Sequence, residues 1–140
     1  MADTAAVASR DDAGKLVLRL AIGLLLLLHG IAKLRFGVGW MAGPLGALGL
    51  PAIVAYGAYI GEVVAPLLAI VGKFTRLAGL VIAFNMVMAV VVARRDAVFA
   101  LNRGGGWDIE LEVLFAIGGI LMFLFGAGRY SASGGAGRWD

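Results

Sequence analysis

Leu16-Val17-Leu18-Arg19-Leu20-Ala21-Ile22-Gly23-Leu24-Leu25-Leu26-Leu27-Leu28-His29-Gly30-Ile31-Ala32-Lys33-Leu34 reads as one apolar helix long enough to cross a bilayer. Such a helix needs about 20 mostly apolar residues, within a range of about 17–25. Outward from this stretch, three more apolar segments follow at 51–71, 77–92 and 109–125. The third segment is short by that measure, but Thr75 and Ala93 can extend it. Inside lipid a backbone has no water to bond, so each segment must be helical. The predicted fold class is all-α, an integral membrane four-helix bundle. Its divisions are a disordered N-terminal segment at 1–14, the four-span membrane domain at 15–131 and a flexible tail at 132–140. Both ends are small, polar or Gly-rich, a composition that does not order itself.

Composition agrees with a membrane location. Hydrophobic residues make up 61% of the chain and charged ones 15%, with a mean hydropathy of +0.95, far from the balance of a soluble domain. The spans leave no room for a soluble catalytic domain. The first segment is not a cleaved signal peptide: its apolar run is too long, no small-residue cleavage site follows, and three further spans do. The chain has no cysteine and one histidine, which removes disulfides and thiol nucleophiles. A lone His29 cannot supply the ligands of a structural zinc or a doubly ligated haem, so no metal site is expected. No covalently bound cofactor is expected either, and redox chemistry would fall to a partner or a diffusible cofactor. The formal charge of +3 reports topology and lipid head groups, not nucleic acid.

The links are informative in different degrees. The stretch 35–50 is Gly-rich and could hold a short interfacial helix around Trp40 and Met41, or a loop. The tight link Gly72-Lys73-Phe74-Thr75-Arg76 makes spans two and three antiparallel neighbours. An even span count puts both termini on one side, and Lys73 with Arg76 in this short loop favours the cytoplasm.

Ionisable groups at membrane depth cost about 2.5–3.5 kcal/mol at mid-helix, so each needs a partner or a role. Glu62 in span two and Asn85 in span three lie at similar depth, which makes a carboxyl–amide hydrogen bond natural. Such a pair either locks the bundle or marks a proton-handling, quinone-contacting site. A carboxyl so deep needs either its proton or a cation. At the other end of the spans, His29 and Lys33 share a face of span one, with His29 level with Glu112 and Lys33 nearer Glu110. A His–Glu pair there could relay protons, while Lys33 could instead snorkel to head groups. Arg19 has no acid at its own depth and reads as an anchor to lipid phosphates. Gly57, Gly61, Ala65 and Ala69 form a small-residue stripe that serves either an internal seam or a subunit interface. Pro66, one turn beyond Glu62, is expected to bend that helix.

Read in order, several stretches resemble the DoxX family of small four-helix bacterial membrane proteins. They are Arg19 with His29-Gly30-Ile31-Ala32-Lys33-Leu34, then Leu48-Gly49-Leu50-Pro51, then mid-span Glu62. Val71-Gly72-Lys73-Phe74-Thr75-Arg76-Leu77-Ala78 and Gly126-Ala127-Gly128-Arg129-Tyr130-Ser131 complete the series. The entry to the last span differs, with Trp107-Asp108-Ile109-Glu110-Leu111-Glu112 where members often carry Glu-Tyr-Pro. The resemblance implies a four-helix bundle in the bacterial inner membrane tied to redox metabolism. Relatives are subunits of a terminal quinol oxidase and of a thiosulfate:quinone oxidoreductase, or membrane partners of redox enzymes. On this footing the chain is expected to be an accessory or anchoring subunit of a quinone-linked complex, not catalytic alone. The alternatives are a quinone-binding oxidoreductase subunit in which Glu62 and His29 handle protons, and a small-solute transporter or structural assembly protein. Against transport, the two halves show no convincing similarity. Quinone- or lipid-binding candidates are His29, Lys33, Glu62, Asn85 and Glu112. Expected partners are membrane lipids and a larger membrane complex or a second copy of the chain.

Overall fold

The computed structural model describes residues 2–140, with side chains from residue 7 onward. It is all-helical among the described residues, with one isolated bridge between Leu101 and Trp107 in a turn. We number five helices: α1 (Ala2–Phe36), the short α2 (Ala42–Ala47), α3 (Ala52–Val71), α4 (Thr75–Ala97) and α5 (Glu110–Phe125). Among the described residues, α1 from Val7, α3 and α4 are long and apolar enough to cross a membrane. Helix α5, with 16 residues, is about 24 Å long at 1.5 Å per residue, shorter than a hydrocarbon core of about 30 Å.

Packing is inverted relative to a soluble protein. Large apolar side chains face outward, with Leu28, Phe84 and Leu114 among the exposed residues, so the apolar belt needs lipid around it. The interior mixes small and large side chains, with Ala65, Ala69, Ala78, Ile82, Met86, Phe115 and Met122 around Leu26. Three of the four stripe positions on α3 form an internal seam, with Ala65 and Ala69 buried and Gly61 against Asn85, while Gly57 is exposed at the larger cavity with nothing within 4 Å of it. A second close seam joins α4 and α5 at Gly79 and Gly119. A Cβ on Gly119 would stand 2.5 Å from the Gly79 carbonyl oxygen, which only a missing side chain permits.

Helix α3 is not uniform. It opens as a 3-10 turn over Ala52–Tyr56, widens to a π turn over Ile60–Val64 and returns to α over Ala65–Val71. Pro66 has no N–H to give the Glu62 carbonyl, and the π turn directly before it absorbs the break. The link at 35–50 takes the helical option, a 3-10 turn over Gly39–Met41 followed by α2. Leu45 of α2 packs with Val38, Ala55 and Ala58 to close that end of the bundle, the end opposite the termini, here called distal.

Arg19 departs from the expected lipid anchor. It is 1% exposed and donates to the carbonyls of Ala69 (2.8 Å), Ile70 (3.1 Å) and Tyr130 (2.6 Å). The last carbonyls of a helix have no partners within it, and a guanidinium fork is suited to gather several at once. Gly72, left-handed at φ 75°, leaves room for that fork. Arg76 repeats the device on α5, donating to Phe123 (2.8 Å) and Leu124 (3.2 Å).

This repetition extends across the molecule. The α1–α3 hairpin pairs Arg19 with the end of α3 and Lys33 with Glu62. The α4–α5 hairpin pairs Arg76 with the end of α5 and Arg94 with Glu112, its arms about one turn longer. The halves are thus alike in their charge arrangement, which their side chains elsewhere conceal.

Both ends contact the rest of the chain. Helix α1 runs on from Ala2, supported by an Asp11–Lys15 ion pair at 2.7 Å and by Asp12 accepting from the Arg129 backbone at 3.1 Å; Met1 lies outside the described residues. The tail returns to the α3–α4 turn, where Asp140 accepts from the Phe74 backbone N–H. The Trp139 carbonyl accepts from the Arg76 backbone at 2.9 Å. The unfilled N–H groups at the start of α4 supply the docking site.

Candidate functional site

Three helices meet at Glu62, and glycines determine how closely. A Cβ at Gly30 of α1 would collide with the Glu62 carbonyl and the Val63 side chain, so the two backbones touch there. Lys33 lies one turn further along the same face of α1. Its ammonium therefore reaches Glu62 Oε2 in a salt bridge. From α4, Asn85 Nδ2 donates to the other carboxylate oxygen, Oε1, at 3.2 Å, the hydrogen bond anticipated from their depths. Gly61 makes this approach possible, since a side chain there would occupy the Asn85 amide's place. Tyr59 donates its hydroxyl to the Lys33 carbonyl at 3.2 Å and ties the end of α1 to α3. Glu62, 3% exposed, thus has both oxygens engaged, as a buried charge requires.

The cluster lies at the edge of a cavity of about 470 Å³. Lys33, Glu62 and Asn85 give it a polar floor, Val81, Phe84 and Met88 of α4 an apolar wall, and Trp40, Met41 and Leu45 a cover. A concave apolar space with a few convergent polar groups is the usual form of a small-molecule site, and the volume is within the usual range of about 300–1,000 Å³. A smaller cavity of about 100 Å³ shares Lys33, Glu62, Ala89 and Glu112 with it, and is otherwise lined by residues that include His29 and Phe115. The ion pair therefore stands between a larger space bounded by α2, α3 and α4 and a smaller one bounded by α1 and α5.

Of the five binding candidates, Lys33, Glu62 and Asn85 form one bonded cluster, while His29 and Glu112 share only the smaller cavity. The expected pairing of His29 with Glu112 or Glu110 is corrected: among the described residues no carboxylate comes within 4.0 Å of the imidazole. His29 instead meets the Phe115 ring edge-on, with centroids 5.9 Å apart. Glu112 faces Arg94, Oε1 to Nε 3.8 Å, and Arg94 also reaches Asp108 at 3.3 Å. Glu110 is exposed in the first turn of α5. Lys33 turns inward to Glu62, neither snorkelling nor meeting Glu110, because the Gly30 contact carries it over α3.

Sequence reasoning missed Arg94, Tyr59, Trp40 and the role of Gly30. Gly30 had a signal, a lone glycine between His29 and Lys33 in a run of bulky residues. Arg94 and Tyr59 had none, because their partners come from other elements.

A helical membrane protein with an ion-paired carboxyl beneath an apolar cavity is the class that this fold and site define. The chain belongs to the DoxX family, whose model matches residues 14–95. It is similar to a Haemophilus influenzae protein described as uncharacterized, 32% identical over 116 residues, covering 79% of this chain and 81% of that one. It is also similar to the Bacillus subtilis protein named "Putative oxidoreductase CatD", 27% identical over 116 residues, covering 83% of this chain and 81% of the relative. No solved structure matches at a significant level.

Proposed function

We propose that this protein is a four-span subunit of a redox system in the bacterial inner membrane, with cytoplasmic termini. It holds a quinone head group in the larger cavity and has no electron-carrying centre of its own. The observation that carries this reading is the Lys33–Glu62–Asn85 cluster at the floor of an apolar cavity of about 470 Å³. The donor set suits a ring bearing carbonyl oxygens. Lys33 has three N–H donors and Asn85 two, and Glu62 accepts one from each, so both keep donors for a ligand oxygen. Trp40 and Phe84 supply flat apolar surface. When bound, a quinone supplies a two-electron, two-proton couple. The chain's own residues bind and orient the ring, keep bulk water from its apolar side, and hold a carboxylate beside its oxygen. Electrons must come from a partner, because a chain with no cysteine and one histidine has no side-chain set to carry them. The name of the Bacillus relative supports the redox link. Lys73 and Arg76 in the short α3–α4 turn support the orientation.

The test is purification in mild detergent, organic extraction and mass spectrometry of the extract. Wild type should carry quinone at near-stoichiometric levels, and Lys33→Met and Asn85→Leu should lose most of it while remaining monodisperse. Quinone at background level in all three, or equal in all three, would refute the reading. The repeated charge arrangement of the two hairpins favours a second reading, a solute carrier with its site between repeats. Quinone-free protein that takes up a solute into proteoliposomes would support it instead.

A further inference from the structure

The cavity of about 100 Å³ is small for an organic ligand but has the right size and lining for water. At about 30 Å³ of liquid volume per molecule it holds roughly three, and buried water persists where two to four polar partners are available. Four titratable side chains line it: His29 and Lys33 from α1, Glu62 from α3 and Glu112 from α5. Their hydrogen bonding within the protein is incomplete. Glu62 takes one of the three Lys33 donors. The Glu112–Arg94 contact of 3.8 Å is too long to be a hydrogen bond. His29, exposed on the outer side of α1, meets the edge of a Phe115 ring. A dry cavity would leave the spare Lys33 donors and the Glu112 carboxylate, both largely buried, short of partners. Among groups packed against the cluster, Tyr59 is committed to the Lys33 carbonyl and Asn85 to Glu62. Arg94 and Asp108 carry the charged chain on toward the distal loop.

We infer that this cavity is a water-filled access chamber that connects the Lys33–Glu62 pair to the distal face past Glu112. The larger cavity takes a ligand from one side of the pair, and water reaches the pair from the other. The purpose of the chamber rests on the proposed quinone site: a ligand that gains or loses protons beside Glu62 needs a route to bulk water, and the chamber supplies one on the α1–α5 side of the ion pair. Proton exchange there is a relay between Lys33, Glu62, chamber water and Glu112, with no net chemistry on the protein. Hydration itself does not depend on the ligand's identity.

The chain contains no cysteine, so single-cysteine probes need no prior substitution. Leu26 and Met86 line the chamber and not the larger cavity; Met122, fully buried in the core, is the dry control. M86C, L26C and M122C would be reconstituted in sealed vesicles and exposed to aqueous Ag⁺ in chloride-free buffer. The vesicles would then be dissolved, and the thiols remaining would be counted with a fluorescent maleimide. Ag⁺ on the distal side should protect M86C and L26C at least tenfold faster than M122C, and Glu112→Leu should slow that protection severalfold. L26C is the second probe should M86C not assemble. Equal rates for all three positions, or protection only from the side of the termini, would overturn the chamber. The two readings fail separately. Rapid protection in a protein that binds no quinone leaves the chamber standing and removes the ligand, and quinone binding with slow protection does the reverse.

Discussion

Removing Lys33 should destabilise this protein far more when Glu62 remains than when Glu62 has also been neutralised. The Lys33 side chain is 19% exposed and that of Glu62 5%, so the pair is largely desolvated. Breaking such a pair by removing one partner costs about 3–5 kcal/mol, because the survivor is a buried, uncompensated charge. Glu62 keeps its bond to Asn85 when Lys33 is lost, which places Lys33→Met at the lower end, about 3 kcal/mol. Glu62→Gln keeps a polar group for Asn85 and leaves a lysine that can extend toward the distal surface, about 2 kcal/mol. Glu62→Ala adds a lost hydrogen bond and a void, for about 3–4 kcal/mol. The double variant Lys33→Met with Glu62→Gln removes both charges and should cost about 1–2 kcal/mol, well short of the sum. Reversible unfolding in mixed micelles, followed by circular dichroism as the fraction of SDS rises, measures each. Additive costs, with an interaction below about 0.5 kcal/mol, would refute the paired reading of the site, as would equal stability of Glu62→Gln and Glu62→Ala.

Other consequences follow from the same geometry. Arg19→Ala should cost about 3 kcal/mol by orphaning three carbonyls, and Arg19→Lys should recover little of it, since an ammonium cannot span the three; thermal unfolding in detergent checks both. Gly30→Ala should force α1 away from α3 at a cost of about 1–3 kcal/mol and lower quinone content in parallel, because Lys33 moves with the helix. Arg76→Ala removes the Arg76 Nε donation to the Asp140 carbonyl (3.1 Å) and should loosen the C-terminal tail on the α3–α4 turn, read as faster protease clipping between Ser133 and Trp139 while the rest of the chain stays resistant. Reporter fusions at Gly14 and Gly134 should read out on the same, cytoplasmic side, and opposite sides would refute the four-span topology.

The apolar runs made the helices legible, because lipid allows a long apolar segment no other form. The Glu62–Asn85 bond was legible from depth alone, since the tight link at Gly72–Arg76 fixes how α3 and α4 face each other. What stayed hidden depended on rotation about the helix axes. Whether Lys33 looks to lipid or inward is decided by the Gly30–Glu62 contact, and whether His29 meets Glu112 by the reach of Arg94 across from α4. Arg19 misled for a related reason: an acid was sought at its depth, whereas the partner is the set of free carbonyls at a helix end. The contacts of the two ends were not legible, because composition reports what a segment does alone, not what a neighbouring helix end offers it.

For the proposed quinone site over Lys33, Glu62 and Asn85 in the larger cavity, Trp40 in the cover provides a direct reporter. Titrating purified protein with a short-chain quinone and following tryptophan fluorescence measures that binding. Quinone in the larger cavity should give saturable quenching that largely disappears in Trp40→Phe, with the apparent Kd raised at least tenfold in Lys33→Met and in Asn85→Leu. Quenching that never saturates, or that follows the same curve in wild type and all three variants, would contradict it.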